Sequence, residues 1–291
     1  MAMELLASVL TFTAINVVAV TGVFILTGLT GLFSLGQGAF MGIGAYVAGL
    51  MAIKYNFSFP LAACGAVVVG LIAAVIVGLP TIRLRRDYIS LVTLGFGEAI
   101  AALLNQSVNI TGGAMGLSGI PKQTTLLLAV TSAVICLLLV WGFKCSRYGR
   151  QCLALRSDEL AARSMGINVN QVKMVAFLLS AAITTYAGVL YGFYTTYVEP
   201  VMFGWTKSAE WIIMVFFGGI NSLTGAVVAS ALLTGLPEIL RAAAEWRIVA
   251  YCVIVLLILN FKPTGLFGEY EISLLSLLRR RGNRIREGEG S

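Results

Sequence analysis

The sequence predicts an all-α polytopic membrane protein of about nine transmembrane or re-entrant helices, on three observations. Of its 291 residues, 58% are hydrophobic and only 11% charged, far from the roughly one quarter charged of soluble domains. The apolar residues gather in runs that approach or exceed the roughly 20 residues needed to cross a bilayer as one helix. The basic residues sit at the ends of those runs. The net charge of +7 therefore reads as an orientation signal in a lipid bilayer, with no nucleic-acid partner implied. Residues 1–291 form a single membrane domain, with a polar loop over 144–173 and a basic tail over 269–291.

Residues 5–53 carry no charge. They are too long for one span and must fold back, with the turn expected at Thr27-Gly28-Leu29-Thr30-Gly31. The only charge before them is Glu4, so no basic region of a cleaved signal peptide is expected. In the second span Gly38 and Gly42, Gly44 and Ala48, and Ala45 and Gly49 each fall four apart, the spacing that lets helix backbones approach closely in lipid. A second reading has Ser34, Gln37 and the Gly38 backbone lining a translocation path through a broken helix.

A third span follows over 60–82 and ends in the cluster Arg83, Arg85, Arg86. The fourth, over 88–107, contains Glu98 near its middle, where a charge costs about 2.5–3.5 kcal/mol on insertion scales. Glu98 is either a hydrogen-bonding anchor between helices or a group on the translocation path, and Asn105 carries the same two readings. A glycine-rich loop over 109–122 leads to the fifth span, 123–143. The sixth, 174–198, ends in Tyr191, Tyr194 and Tyr197, which suit an interfacial aromatic belt. The run 211–237 divides at Gly218-Gly219-Ile220-Asn221-Ser222 into two spans. Lys207 and Glu210 are expected to pair at the outer end of the first of these. The last span, about 247–261, has Trp246 and Arg247 as anchors.

Nine spans put the N-terminus outside and the C-terminus in the cytoplasm. Fifteen basic residues then lie on the cytoplasmic side and five (Lys54, Lys122, Lys207, Arg241, Arg247) outside, as the positive-inside rule requires.

The loop 144–173 has six basic residues against Asp158 and Glu159. Within it, 157–166 is written as a short helix. Ser157 serves as N-cap, Asp158 and Glu159 stand at the positive end of the dipole, Glu159 lies four residues before Arg163, and Gly166 is placed for a left-handed C-terminus. Leu160, Ala161 and Met165 supply a small apolar face, while Glu159 and Arg163 stay wet. Asn168 or Asn170 then caps the next helix. The segment is either a solvated spacer that fixes orientation or a docking helix for a partner.

What is missing narrows the chemistry. Without histidine, His-based triads and HExxH zinc sites are excluded. Without Gly-x-x-x-x-Gly-Lys-Ser/Thr the chain has no Walker A loop. The five cysteines lack metal-ligand spacing and are expected to be reduced. No catalytic residue, metal or cofactor is expected.

Leu160-Ala161-Ala162 followed after three residues by Gly166 resembles the EAA loop of bacterial ABC importer permeases, with the signature's Glu displaced to Glu159 and Leu179 followed by Ser180 where that signature has Leu-Pro. Three more stretches narrow the resemblance: Gly36-Gln37-Gly38-Ala39-Phe40-Met41-Gly42-Ile43-Gly44-Ala45-Tyr46, Thr93-Leu94-Gly95-Phe96-Gly97-Glu98, and Thr111-Gly112-Gly113 with Gly116-Leu117-Ser118-Gly119-Ile120-Pro121. With Arg156-Ser157-Asp158-Glu159 they resemble the M-type permease of branched-chain amino-acid importers over about 5–268. The resemblance implies a multi-pass subunit of the bacterial inner membrane. It also implies two cytoplasmic ABC ATPases, a second related permease of the H type and a periplasmic substrate-binding protein. Asp158, Glu159, Leu160, Ala161, Ala162, Met165, Gly166 and Ile167 would form its ATPase-coupling segment. Urea or short amides are the alternative cargo. An ion-coupled secondary transporter, with Glu98 as its acid, is the alternative class.

Overall fold

The computed structural model describes residues 2–239 and nine further residues between Cys252 and Gly268. Apart from one two-residue strand pair, its regular structure is helical. Six helices are long and apolar enough to cross a membrane. They are α1 (Ala2–Phe24, continued by a π-helical turn Ile25–Thr30), α2 (Gln37–Tyr55), α3 (Phe59–Thr81), α4 (Arg86–Gln106), α6 (Leu126–Cys145) and α9 (Val169–Thr195). Between them lie the short helices α5 (Val108–Thr111), α7 (Arg147–Ser157) and α8 (Glu159–Ser164), and after α9 come α10 (Trp205–Gly218) and α11 (Leu223–Ile239). The expected nine spans are thus not reached among the described residues: six are full length, and α10 and α11 are shorter. The ninth, expected near 247–261, lies largely outside the described residues, and the tail 269–291 lies wholly outside them.

The centre of the bundle is α1, α2 and α9, whose spans are mostly buried, while α3, α4 and α6 present outward faces. Small residues set how close the central pair comes. A Cβ built on Gly188 of α9 would meet the Met41 carbonyl oxygen of α2 at 1.9 Å, and one on Gly44 would meet the Thr185 carbonyl at 2.0 Å. Only glycine fits either place, and the two backbones pack in direct contact.

One end of the bundle, here the basic end, carries the 83–86 turn, α7 and α8. The opposite end carries the α2–α3 turn and the strands β1 (Leu117–Ser118) and β2 (Tyr197–Val198), which pair antiparallel with Leu117 opposite Val198. The glycine-rich loop therefore folds back on the end of α9. Tyr46 of α2 donates to the Val198 carbonyl at 3.2 Å.

Two stretches run irregularly inside the bundle. The reversal after α1 comes later than Thr27–Gly31 as a unit would give: the helix continues through its π turn, and Gly31, at φ 67°, makes the bend alone. Residues 32–36 then rise without helical structure, pinned where Ser90 donates to the Phe33 carbonyl at 2.9 Å and Leu35 N donates to Thr93 Oγ1 at 3.1 Å. After β2 the chain dips back through a 3-10 turn (Pro200–Phe203) to Gly204, and Phe203 rests against Gly42 in the body of α2. Helix α10 starts there and ends at the expected hinge, where Gly219 takes φ 110° and Ser222 Oγ accepts from Gly225 N at 3.0 Å.

Candidate functional site

At the basic end a helical knob is built on a clamp. Ser146 opens α7 by accepting from Gly149 N at 3.3 Å. Gly149, Cys152 and Leu155 turn inward, and burial pushes the Cys152 thiol up to about 12. Two arginines hold the far end of α7. Arg86 donates to the Leu155 and Arg156 carbonyls at 3.2 and 3.1 Å. Arg156 reaches the Gly28 carbonyl in the π turn at 2.6 Å and the Ile220 carbonyl in the hinge at 3.4 Å. Lys144 donates to the neighbouring Asn221 carbonyl at 3.1 Å. A π turn leaves its carbonyls out of the regular i to i−4 ladder, and here one of them is taken by a guanidinium.

The cap of α8 is Asp158, not Ser157. Asp158 Oδ1 accepts from Leu160 N at 2.8 Å and Ala161 N at 3.2 Å, whereas Ser157 closes α7 and donates to the Leu153 carbonyl. Both residues are good caps by type. Because α7 extends through Ser157, the extended backbone that a cap needs falls to Asp158, at φ −155° and ψ 116°. Gly166 takes the expected left-handed conformation at φ 81°, with Ile167 N donating to the Ala162 carbonyl at 3.2 Å. Asn168 caps α9 by accepting from Gln171 N at 3.2 Å.

On this knob Leu160 is 75% exposed and Met165 85%. Ala161 and Arg163 are exposed, Ile167 is half-buried, and Ala162 faces inward at 4%. Glu159 is not simply wet. It meets Arg163 at 3.3 Å and also accepts from the Nζ of Lys173, which is 1% exposed, at 3.0 Å on each oxygen. The knob is thereby pinned to α9. Its geometry suits docking and offers no reactive group; among the described residues no cluster of three metal-ligating side chains exists.

The path candidates separate into two groups. Ser34, Gln37 and Gly38 are buried in the subunit's own core. Gln37 Oε1 accepts from Thr184 at 2.8 Å, its Nε2 lies 3.5 Å from Ser34 Oγ, and Gly38 N donates to Ser208 Oγ at 2.8 Å. They form a closed polar seam between α2, α9 and α10. Glu98 and Asn105 instead stand on the exposed face of α4. Glu98 has no hydrogen bond or ion pair to the described residues, so it anchors no helix to another among them. The turns of α4 that pack inward present Thr93, Phe96 and Gly97, and Glu98 points away from them.

The pairing of Lys207 with Glu210 is present at 2.8 Å, at the end of α10 away from the hinge, as expected. Lys207 lies eleven residues before Gly218 at the hinge, about 16 Å from the basic end at 1.5 Å per residue. That distance was countable once the hinge was placed. The helix α7 escaped sequence reading, although Ser146 and the three-residue spacing of Gly149, Cys152 and Leu155 signal it.

A family model described as "Branched-chain amino acid transport system / permease component" matches residues 5–261. The chain is 31% identical over 290 residues to the high-affinity branched-chain amino acid transport system permease protein LivM of Salmonella typhimurium, covering 88% of this chain and 68% of that one. It is 31% identical over 294 residues to LivM of Escherichia coli, with the same coverage. To the LivH permease protein of Salmonella typhimurium it is 26% identical over 275 residues, covering 84% of this chain and 88% of that one.

Proposed function

The chain belongs to the branched-chain amino acid transport permease family, and from that membership we infer that it is the membrane-spanning subunit of an ATP-driven importer of branched-chain amino acids. The match over residues 5–261 carries this reading, since it takes in every described span. The chain is a transport subunit and not an enzyme. ATP is hydrolysed on a separate ABC subunit, in keeping with the absence of a Walker A loop here.

The finer assignment puts the basic end in the cytoplasm and the N-terminus outside, in a bacterial inner membrane. The charge asymmetry of fifteen basic residues to five supports it. The α7–α8 knob then meets one of two cytoplasmic ATPases, with Leu160, Ala161 and Met165 as its contact face and the arginine clamp behind it. A periplasmic binding protein delivers substrate to the opposite end. A second, related permease covers α4. What favours α4 is the contrast between outward faces: α3 shows Leu61, Val68, Ile72, Ile76 and Leu79 to its surroundings and α6 shows Leu127, Val134, Ile135 and Leu139, as lipid requires. On α4 Leu91, Val92 and Leu103 are exposed as well, but the same face carries Gly95, Glu98, Ala99, Ala102 and Asn105, and a charge and an amide there are disfavoured by lipid and accepted by a helix interface or water-filled path.

The test is reconstitution of the chain in liposomes with its permease, ATPase and binding-protein partners. Leucine uptake that requires ATP and all four components is the expected result. Uptake by this chain alone, driven by an ion gradient, would overturn it.

A further inference from the structure

Helices α1, α2, α9 and α10 and the re-entrant turn before α10 line a partly open cavity of about 260 Å³ whose walls include Phe12, Ile15, Met41 and Phe203, with Lys207 among its polar groups. A second cavity of about 280 Å³ shares Phe12, Asn16 and Lys207 with it and adds Glu210. The depth of this space can be read from both ends. Lys207 stands eleven residues from the hinge on α10, and Thr234, which accepts from Asn16 at 3.2 Å, stands eleven residues from the start of α11, each about 16 Å from the basic end. Phe203 rests on Gly42, thirteen residues from the end of α2, about 20 Å from the opposite end. The wall also carries Tyr191, four residues or about 6 Å from the end of α9, so the space lies inside the length of the bundle, clear of the basic end.

A lysine and a glutamate at that depth need a reason. Neither is packed away: Lys207 is 28% and Glu210 37% exposed, and Lys207 lines both cavities while Glu210 lines the second. Charges held within the apolar length of a membrane bundle and against a cavity mark a ligand path. The two cavities are small beside those of drug-sized ligands, which run from about 300 Å³ upward.

We propose that this space binds a free amino acid with an aliphatic side chain, its carboxylate on Lys207, its ammonium on Glu210 and its side chain against Ile15, Met41 and the rings of Phe12 and Phe203. The proposal rests on the transport reading above and places the cargo inside this subunit. Lys207 and Glu210 neutralise each other at 2.8 Å. A zwitterion exchanges that one pair for two, whereas a purely anionic or cationic ligand leaves one of the two charges unmatched inside the bundle. The apolar wall rejects polar side chains because nothing in it repays their lost hydration.

The experiment uses the assembled importer in nanodiscs with Met202→Cys, a half-buried position on the cavity wall, and follows modification of that site by a small maleimide with mass spectrometry. Leucine is expected to slow the modification at least fivefold, while free lysine and glucose do not. Lys207→Met and Glu210→Gln are each expected to abolish the protection, and Lys207→Arg to retain it. Ile15→Phe, which fills the space, is expected to keep protection by alanine and lose that by leucine. Absence of leucine protection in an assembly that imports leucine overturns the site and leaves the transport reading standing, as does protection that survives Lys207→Met and Glu210→Gln. An assembly that imports none of leucine, isoleucine and valine overturns the transport reading itself.

Discussion

Both carboxylate oxygens of Glu159 lie 3.0 Å from the Nζ of Lys173, a lysine 1% exposed on the next helix. The pair ties the exposed knob to the core of the bundle across fourteen residues. Removing one partner of such a pair strands the other as a buried charge, which costs about 3–5 kcal/mol when both are enclosed. Glu159 is partly exposed, so about 2–3 kcal/mol is expected here. Glu159→Gln should lower the melting temperature of the purified complex, and Glu159→Gln with Lys173→Met should recover most of the loss. No recovery in the double variant would show that the pair itself is not the cause.

The contact between α2 and α9 is expected to tolerate no side chain at Gly188. A Cβ there would stand 1.9 Å from the Met41 carbonyl oxygen, so Gly188→Ala must separate two backbones over a shared core. A loss above about 3 kcal/mol is expected, in the range reserved for overpacked cores. Gly142→Ala on α6, where nothing lies within 4 Å of the added carbon, is the matched control. Equal membrane levels and melting temperatures for the two variants would refute the close approach.

Cysteine chemistry checks both burial and orientation. Cys145 is exposed at the basic end, where α6 finishes, and Cys152 is buried on α7, seven residues further on. A membrane-impermeant maleimide should label Cys145 only when the cytoplasmic face is accessible, and should leave Cys152 unmodified from either side. The Cys152 thiol is raised from 9.0 to about 12 by burial. Between those values the unfolded chain has released its proton while the folded chain retains it. Stability therefore falls as pH rises through that window, at up to about 1.4 kcal/mol per unit. Below pH 9 the group contributes no slope. Cys152→Ala should flatten the alkaline limb of a melting-temperature profile, and an unchanged limb would remove Cys152 as its source.

The knob was legible in sequence because its signals are local: a cap residue, an i,i+4 ion pair and a glycine at the end. The cap moved from Ser157 to Asp158 only because the preceding helix, unread in sequence, runs through Ser157. The positions of Glu98 and Lys207 were less legible. A lone acid in an apolar run does not say which way its helix turns, and α4 orients it by packing Thr93, Phe96 and Gly97 inward. Lys207 was read at the far end of its span, but the depth of that end was not, since an uncharged run beginning at Trp211 does not show how short α10 is. The re-entrant dip that carries Phe203 down to Gly42 depends on contacts between segments about 160 residues apart.

For α4, the exposed stripe makes opposite demands in the separate chain and in the pair. In the separate chain Glu98 has no partner among the described residues, and a charge facing lipid costs about 2.5–3.5 kcal/mol. Glu98→Leu should therefore leave the melting temperature of the singly purified chain unchanged or raised. In the assembled importer it should lower recovery of the second permease and leucine uptake severalfold. Normal pairing and normal uptake in Glu98→Leu would return this face to lipid.

The knob itself supplies the sharpest test of coupling, because its outer surface and its fold separate cleanly. Ala161 is exposed and Ala162 buried, so a bulky residue at 161 obstructs an approaching groove without touching the core. Ala161→Trp is expected to insert normally, to melt within about 0.5 kcal/mol of the parent as surface substitutions do, and to lose ATPase co-purification and uptake together. Gly166→Val acts differently. There is space around it, with nothing within 4 Å of an added Cβ, but φ is +81°, where a branched residue costs about 1–2 kcal/mol. It should tilt or fray the end of α8 and lower ATPase recovery with a small loss of stability. Glu159 and Lys173 hold the start of α8 in both variants, which keeps membrane insertion out of the comparison. If Ala161→Trp and Gly166→Val both retain the ATPase and import leucine at the parent rate, the segment 157–167 is an ordinary surface segment of the basic loop and the contact with the ATPase lies elsewhere.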